Sequence, residues 1–400
     1  MAPPRTAVLV LVDPRRRLVG VLPPLPTDLP WWQEVGDVVR AAREQHGVDV
    51  VVLRLLRTGL PVMPGGEVVY LAEVDAPTAD RLRDRLAPVD EELAALALGT
   101  DPRRAAYAEV GGPGASLAWA AERLGGLADA RQQRTWNLSS LWRLTAADGR
   151  PVWLKQVPGF FAHEAAVLAW LGERLLGSAP PLLAADEPGR QLLGHVEGAD
   201  LYDADDDVRA AIAAHAHRIQ LASRPDLDAL VDAGVPDRRG AGLASWIRAS
   251  IGSRADGHPA RALIDRLDDD VAALAACGLP DVLVHGDEHG GNVVGAGDRL
   301  VVLDWGDAFV GHPVFDAVTL AGGSGHERPA VLAAWCALWR ESVPGCDPER
   351  ALAVGRRVAA LRSAAVYADF LDRIEGTEAV FHRADVPALL DQAVALAASG

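Results

Sequence analysis

The segment His285-Gly286-Asp287-Glu288-His289-Gly290-Gly291-Asn292 decides the fold of this 400-residue chain. It follows an apolar, β-branched stretch that is typical of a buried strand. A second such stretch, residues 300–303, ends at Asp304, twelve residues after Asn292. Two short predicted strands therefore bring Asp287, Asn292 and Asp304 into one neighbourhood.

These three residue types suit one kind of chemistry. Phosphoryl transfer needs a carboxylate near the acceptor hydroxyl and oxygen ligands that hold magnesium against the nucleotide phosphates. Each residue alone is equally typical of a turn or a helix cap. The ordered set is more specific, and Asn292 is one of only two asparagines in the chain. We therefore interpret Asp287 as the catalytic base, and Asn292 and Asp304 as metal ligands.

Three neighbours of this set have less specific interpretations. His285 and His289 lie on the same loop, and metal ligation is one reading of them, but we expect structural hydrogen bonds instead. Trp305 follows Asp304 directly and is a candidate wall for an acceptor site.

The only lysine in the chain, Lys155, lies late in a strand predicted over residues 152–157. Nine residues later, Glu164 begins a predicted helix. An ion pair with Glu164 would direct the lysine ammonium toward the α- and β-phosphates of a nucleotide. The structural alternative is a surface ion pair of small energetic value. Because every other basic residue is arginine, we favour the functional interpretation.

The motifs resemble those of the aminoglycoside phosphotransferase and choline kinase superfamily, whose members share a protein-kinase-like fold. The family's His-Gly-Asp, followed after four intervening residues by Asn, matches residues 285–287 and 292. Its Asp-Trp motif matches Asp304, and its strand lysine and helix glutamate match Lys155 and Glu164. The segment 311–316 also looks like a structural segment of the family. The resemblance covers residues 133–400 and implies ATP and Mg²⁺ as cofactors and a small-molecule hydroxyl as acceptor.

The same resemblance implies where the nucleotide binds. Residues 136–144 would form the loop that covers the nucleotide, although serines in a hairpin turn are the equally acceptable structural reading. This loop lacks glycines, which argues against a protein kinase. The adenine would lie at the connection between the two lobes. The cofactor-binding residues implied are Asn137, Ser139, Ser140, Gly194 and Val196.

The first hundred residues carry a weaker resemblance, to Nudix hydrolases. Residues 6–98 read as strand, strand, helix, strand, strand and helix, with Gly47 ending the first helix. In the Nudix-like part of that helix, Ala41 and Gln45 replace two carboxylates, so that Glu44 remains alone and would hold magnesium poorly. We interpret this region as a Nudix-like fold without hydrolysis. An amphipathic helix that ends in glycine can, however, mimic the Nudix box, the conserved sequence motif of the helix in Nudix hydrolases.

The predicted fold class is α+β. We expect a two-lobed protein-kinase-like core, with a small antiparallel β lobe and a larger helical lobe, preceded by a small α/β Nudix-like domain. The predicted boundaries are 1–98 for the Nudix-like domain, 99–132 for a connector, 133–197 for the N-lobe and 198–400 for the helical C-lobe with the catalytic loop.

Charge and hydropathy exclude several kinds of partner. The net charge of −16 argues against nucleic acid and anionic membrane surfaces as partners. No apolar run is long enough to span a membrane, and we expect a cytoplasmic protein. Residues 198–400 hold −13 of the net charge. This excess predicts an acceptor that is cationic, a polyol or sugar bearing amino groups.

We therefore expect an ATP- and Mg²⁺-dependent phosphotransferase with an alcohol group as acceptor, such as an aminoglycoside or amino sugar. The alternative is a catalytically silent, nucleotide-binding pseudokinase that acts as a sensor. The presence of Lys155, Asp287, Asn292 and Asp304 together favours the enzyme. A Nudix hydrolase with a helical appendage is disfavoured by its missing carboxylates.

Overall fold

The chain divides into two compact units, each built from separate stretches of sequence. This computed structural model describes residues 3–187, 189–296, 299–322 and 328–398. The first unit comprises residues 1–160, 183–195 and 371–384, and the second comprises residues 161–182, 196–370 and 385–400. The loop that carries Asp287 and Asn292 therefore lies entirely in the second unit.

A mixed four-stranded sheet begins the first unit. Its strands are β1 (Arg5–Val12), β2 (Leu18–Thr27), β3 (Val51–Thr58) and β4 (Gly66–Glu73), in the order β2-β1-β4-β3 with β1 and β4 parallel. Helix α1 (Gly36–His46) ends at Gly47, whose φ of 63° is the left-handed conformation that favours glycine. Helices α2 (Ala76–Leu82) and α3 (Glu91–Leu98) follow. The predicted order of strands and helices is confirmed, whereas the Nudix relationship stays a prediction.

A second, five-stranded sheet completes the β structure of this unit. Its strands are β5 (Leu127–Trp136), β6 (Ser139–Ala146), β7 (Pro151–Gln156), β8 (Leu182–Asp186) and β9 (Arg190–Gly194), in the order β5-β6-β7-β9-β8. The β5–β6, β6–β7 and β7–β9 pairs are antiparallel. Helix α4 (Gly112–Leu124) packs Trp119 against Trp142 and Leu154 of the sheet. Strand β5 begins at Leu127, inside the segment that the sequence predicts as a connector.

Hydrogen bonds and aromatic packing join these parts of the first unit. The side-chain amide of Gln132 on β5 accepts from Val52 N at 2.9 Å and donates to Val52 O at 2.7 Å on β3. Residues 371–384 return from the C-terminal part of the chain. Within them, Phe381 packs edge-on against Trp32 and Trp136, at centroid distances of 5.8 and 5.5 Å. The core around the first sheet is thus completed by a residue far away in sequence.

The second unit is mainly helical. Its helices are α5 (Glu164–Arg174), α6 (Asp206–Ser223), α7 (Leu227–Asp232), α8 (Ala241–Ile251), α9 (Arg261–Asp265), α10 (Leu267–Ala275), α11 (Val314–Leu320), α12 (Pro329–Ser342), α13 (Pro348–Arg373), whose last residues belong to the first unit, and α14 (Asp385–Ala398). Strands β10 (Ala199–Asp200), β12 (Val293–Ala296) and β13 (Arg299–Val302) form one small sheet, and β11 (Val282–Val284) and β14 (Phe309–Gly311) form another. Both strands predicted around Asp287 and Asp304 are present, as β11 and β13.

The α+β fold class is confirmed: a sheet at the N-terminus is followed by a β lobe and a helical lobe. Within the described ranges, no helix is both long enough and apolar enough to cross a membrane.

Candidate active site

The loop after β11 is shaped by Gly286. Its φ is +86°, and a Cβ at this position would lie 2.2 Å from the carbonyl oxygen of Asp307, so that only glycine fits. The carbonyl of Gly286 accepts a hydrogen bond of 3.0 Å from Arg362, whose guanidinium stacks 4.6 Å from the ring centre of Phe309. A buried arginine therefore fixes the turn that directs Asp287 away from the strand.

The base of the loop is held by a buried carboxylate, Asp316 on α11. Its two oxygens accept backbone N–H groups from His285 at 3.0 Å and Gly286 at 2.9 Å, and the Gln220 side chain donates a third bond at 2.9 Å. Burial raises the pKa of Asp316, although each of these donors opposes the effect. The Asp316 carboxylate thus holds the first residues of the loop in position from the buried side.

Asp287 is bound on two sides by other residues of the loop. The Asn292 amide nitrogen donates to the Asp287 backbone oxygen at 3.0 Å and to its Oδ2 at 3.1 Å. His289 Nε2 lies 3.5 Å from the same Oδ2. Burial alone would raise the pKa of Asp287, but the hydrogen bond and charge of His289 lower it below its ordinary value. The carboxylate is half-exposed, so it is ionised, oriented and accessible at neutral pH.

The two histidines make the structural hydrogen bonds expected of them. His285 Nδ1 accepts the backbone N–H of Asp287 at 3.2 Å, and its Nε2 lies 2.8 Å from the Leu303 carbonyl. His289 Nδ1 accepts from Gly291 N at 3.0 Å.

Asp304 follows β13 directly and is joined to the same loop. The backbone N–H of Leu303 donates to the Asn292 carbonyl at 2.7 Å. Asp304 has φ 60° and ψ 61°, a left-handed conformation that is uncommon outside glycine and is tolerated by Asp. The next backbone N–H, that of Trp305, donates to Glu164 Oε1 at 3.1 Å. Glu164, buried at the start of α5, therefore anchors the segment that carries Asp304, a role that sequence reasoning did not assign to it.

The suggestion that Trp305 forms a wall of the acceptor site is wrong. Its side chain is buried, its ring lies edge-on to His285 at 4.6 Å, and its indole N–H donates to the Val302 carbonyl at 3.1 Å. The residue belongs to the core beneath the loop.

The predicted nucleotide-binding residues lie mostly in the first unit. Lys155 is buried in the central strand β7, opposite Leu141 and Gln191. Gly194 is the last residue of β9. Val196 follows two residues later and is the residue at which the chain enters the second unit. Glu164 belongs to the second unit, so its pairing with Lys155 stays a prediction.

The three remaining predicted residues, Asn137, Ser139 and Ser140, lie on the β5–β6 hairpin. Ser139 Oγ accepts the Trp136 indole N–H, and Ser140 Oγ accepts that of Trp142, both at 3.2 Å. Asn137, in the turn, lies 3.0 Å from His382 through its oxygen and donates to the Glu378 carbonyl at 3.4 Å. The Asn137 amide is thus committed to residues 371–384, and these contacts lend no support to its predicted nucleotide role.

The donor set fits a magnesium ion that the substrate helps to hold. Both hydrogen bonds of the Asn292 amide use its nitrogen, which leaves its oxygen for a cation. In the parts of the chain that the structure describes, no group of three or more His, Cys, Asp or Glu is arranged to bind a metal. Mg²⁺ usually takes few protein ligands and completes its coordination shell with phosphates and water. The Asn292 amide and the Asp304 carboxylate agree with this preference.

A cavity of about 680 Å³ opens beside the loop of residues 285–292 in the second unit. His289 and Gly290, which lie two and three residues after Asp287, form part of its wall. Further polar residues come from α6, α13 and the residue before α12, and apolar residues from α12 and α14. They include Arg209, Arg328, Arg356, Ser363, Leu332, Leu389 and Leu396.

Sequence reasoning missed the residues that support the loop from below. Gln220 and Arg362 are each more than sixty residues from the loop and carry no local motif. Asp316 lies in segment 311–316, and the resemblance of that segment to the family was the only sequence signal that pointed to it.

The sequence model described as the phosphotransferase enzyme family matches residues 142–352, more than half of the chain. No curated protein has a matching sequence. The solved structure of a candidate aminoglycoside phosphotransferase from Ralstonia eutropha is 18% identical, with a TM-score of 0.50, over 72% of this chain and 98% of that one. A macrolide 2′-phosphotransferase from Brachybacterium faecium is 19% identical, with a TM-score of 0.49, over 70% and 96% of the two chains. At such identities, the likeness to the Ralstonia structure concerns the fold.

Proposed function

The chain belongs to the phosphotransferase enzyme family, and from this premise we propose that it transfers the γ-phosphoryl group of ATP, with Mg²⁺, to a hydroxyl group of a small molecule. One observation carries the proposal. Asp287 is half-exposed beside a cavity, and Asn292, which is joined through its carbonyl to the segment of Asp304, holds it by two hydrogen bonds. Base and metal-ligand candidates thus form one connected group.

In this proposal Asp287 accepts the proton of the acceptor hydroxyl. A carboxylate performs this role only when it is ionised, and His289 lowers the pKa of Asp287. The hydrogen bonds from Asn292 fix the orientation of the carboxylate, so that little reorganisation is needed when the acceptor binds.

The Asn292 oxygen and the Asp304 carboxylate would hold the magnesium ion. Bound Mg·ATP supplies the transferable phosphoryl group and neutralises the charge on its oxygens. Glu164 maintains the position of Asp304 through the backbone N–H of Trp305. The Leu303–Asn292 hydrogen bond keeps the two ligands in register.

Lys155 would contact the α- and β-phosphates, with Glu164 as its partner in the same proposal. Its burial in β7 limits its motion. Gly194 and Val196 would bind the adenine through their backbones. The backbone of Ser139 and Ser140 would lie over the phosphates, because the Ser140 side chain is buried and its hydroxyl accepts the Trp142 indole N–H. Asn137 is retained only as part of the hairpin turn that presents the two serines.

The prediction of a cationic acceptor rests on the charge of residues 198–400 as a whole. The lining of the cavity beside the loop does not share that charge, because it holds three arginines and one aspartate. We therefore propose a small-molecule hydroxyl acceptor without carrying over its predicted positive charge.

The test is a screen of the purified full-length protein with ATP and Mg²⁺ against a library of alcohols, scored by the mass gain of one phosphoryl group. We expect at least one acceptor to be modified by the wild-type protein and not by Asp287→Asn. A wild-type protein that binds Mg·ATP but modifies no acceptor would instead favour the silent pseudokinase. Modification that persists in Asp287→Asn would remove the proposed base.

A further inference from the structure

The cavity beside the catalytic loop is basic on its polar side. Arg209, Arg328 and Arg356 line it, and Asp203 is the one acidic residue among its lining residues within the described ranges. Residues 198–400 carry a net charge of −13. The local charge of the cavity is therefore opposite in sign to that of the sequence around it.

Arg209, on α6, is the most buried of the three arginines. Its guanidinium donates to the carbonyl oxygens of Tyr202 at 2.8 Å, Ala204 at 3.0 Å and Leu320 at 3.4 Å. Carbonyl groups orient a guanidinium but do not neutralise its charge. Burial lowers the pKa of Arg209 and the charge of Arg328 lowers it further, whereas Asp206, Tyr202 and Asp203 oppose the effect.

The remaining two arginines come from different helices. Arg328, the residue immediately before α12, lies 2.6 Å from Asp206 and has one-third of its side chain exposed. Arg356 is on α13 and is partly exposed. Because Arg328, Arg356 and Arg209 come from three elements around one cavity, a ligand inside it meets positive charge from several directions.

We propose that this cavity is the acceptor site and that its arginines bind a phosphate or carboxylate group of the acceptor, an inference that rests on the function proposed above. Guanidinium groups bind such oxyanions through pairs of N–H donors.

The position of the catalytic loop gives the acceptor its orientation. His289 and Gly290, two and three residues after Asp287, line the same cavity, and in this proposal an acceptor held by its anion at the arginines directs a hydroxyl toward Asp287. Leu332, Leu389 and Leu396 offer an apolar surface to its carbon skeleton. An amino sugar would meet the three arginines as a like charge, which disfavours binding.

The first experiment compares acceptors that differ only in charge. The full-length protein receives ATP, Mg²⁺ and matched sets of polyols, such as glucose 6-phosphate, glucose and glucosamine, and phosphoryl transfer is measured by mass. We expect kcat/KM for the anionic member to exceed that of the other two by about ten-fold or more. A higher kcat/KM for the neutral or the cationic member would overturn the inference.

Variants of the more exposed arginines assign the preference to the cavity. Arg328→Gln and Arg356→Gln should each raise KM for the anionic acceptor by about ten-fold while KM for ATP stays constant. Arg340→Gln, an exposed change on α12 outside the cavity lining, is the matched control and should change neither constant. Equal KM values in all three variants would contradict the assignment.

A second measurement does not depend on turnover. Inorganic phosphate is titrated calorimetrically into the wild-type protein, the double variant Arg328→Gln/Arg356→Gln and Lys155→Gln, each first shown by circular dichroism to be folded. We expect binding to be lost in the double variant and retained in Lys155→Gln. Retention in the double variant, or loss in Lys155→Gln instead, would overturn the inference. If no acceptor is phosphorylated, the proposed function fails, and this titration still decides whether the cavity binds anions.

Discussion

Each unit of the molecule buries a carboxylate, and the two carboxylates are used differently. In the second unit, Asp316 receives three hydrogen bonds and supports a loop whose Asp287 remains accessible. In the first unit, Glu378 accepts one backbone N–H, that of Leu55, through Oε1, while its Oε2 has no hydrogen-bond partner among the described residues. Burial raises the pKa of Glu378 to about 8. Burial raises the pKa of both groups, so both make stability depend on pH, but Asp316 in addition holds the loop that carries Asp287.

The largest effect should come from Asp287→Asn. The amide cannot accept the acceptor proton, so we expect kcat to fall by about 10³-fold. The affinity for Mg·ATP should change little, because Asp287 is not one of the proposed metal ligands. Steady-state kinetics and calorimetric titration with a non-hydrolysable ATP analogue check the two parts. Loss of nucleotide binding in this variant would contradict the assignment of Asp287 as base.

The proposed metal ligands should show the opposite pattern. Asp304→Asn and Asn292→Ala remove a ligand, so we expect the affinity for the Mg²⁺–nucleotide complex to fall by about ten-fold or more. Titrations with and without Mg²⁺ measure the loss. If Asp304→Asn bound Mg·ATP as tightly as the wild-type protein, Asp304 would not be a ligand.

Asp316→Asn tests the supporting role of the buried carboxylate. The amide can accept only one of the two backbone N–H groups, so the loop loses at least one hydrogen bond, which costs about 1–3 kcal/mol of stability. We expect kcat to fall by about ten-fold, with KM for ATP nearly unchanged. A variant that is less stable but has the wild-type kcat would show that Asp316 supports the fold without positioning Asp287.

Glu378→Gln should affect stability alone, and only through its pH dependence. Above the ordinary glutamate pKa and up to about pH 8, folded Glu378 holds a proton that the unfolded chain has released. The free energy of unfolding therefore decreases as pH rises through this window, by at most about 1.4 kcal/mol per pH unit, and levels off above it. Glutamine keeps the acceptor for Leu55 N, so the variant should show a shallower decrease at unchanged kcat. Urea unfolding at several pH values between about 5 and 9 measures this, and identical slopes would refute the pKa assignment.

The candidate site could be predicted where its chemistry is local in sequence. Asp287 and Asn292 lie on one short loop and Asp304 ends the next strand, so their order and spacing carried the prediction. Gln220 and Arg362, which support the loop, join it only through the packing of distant helices. Trp305 was misjudged because an aromatic residue beside a functional aspartate has the same sequence pattern whether it faces a ligand or the core.

The fold was predictable for a similar reason. Alternating apolar residues and turn residues located most of the strands and the end of α1 at Gly47. Strand β5 was partly hidden, because the polar run around Gln132 and Gln133 reads as a connector although Gln132 bonds the backbone of β3. The return of residues 371–384 to the first unit has no local signal, since the packing of Phe381 against Trp32 is a long-range contact.

Because residues 371–384 belong to the first unit, they affect the order in which the protein folds during synthesis. Once residues 1–160 have been synthesised, the second sheet still lacks β8 and β9, and the core around the first sheet still lacks the segment 371–384 that completes it. Until that segment is made, the indole faces of Trp32 and Trp136 have no Phe381 to cover them. The first unit therefore remains incompletely closed until residues 371–384 have been translated, which departs from the usual N-terminal-first sequence of domain folding.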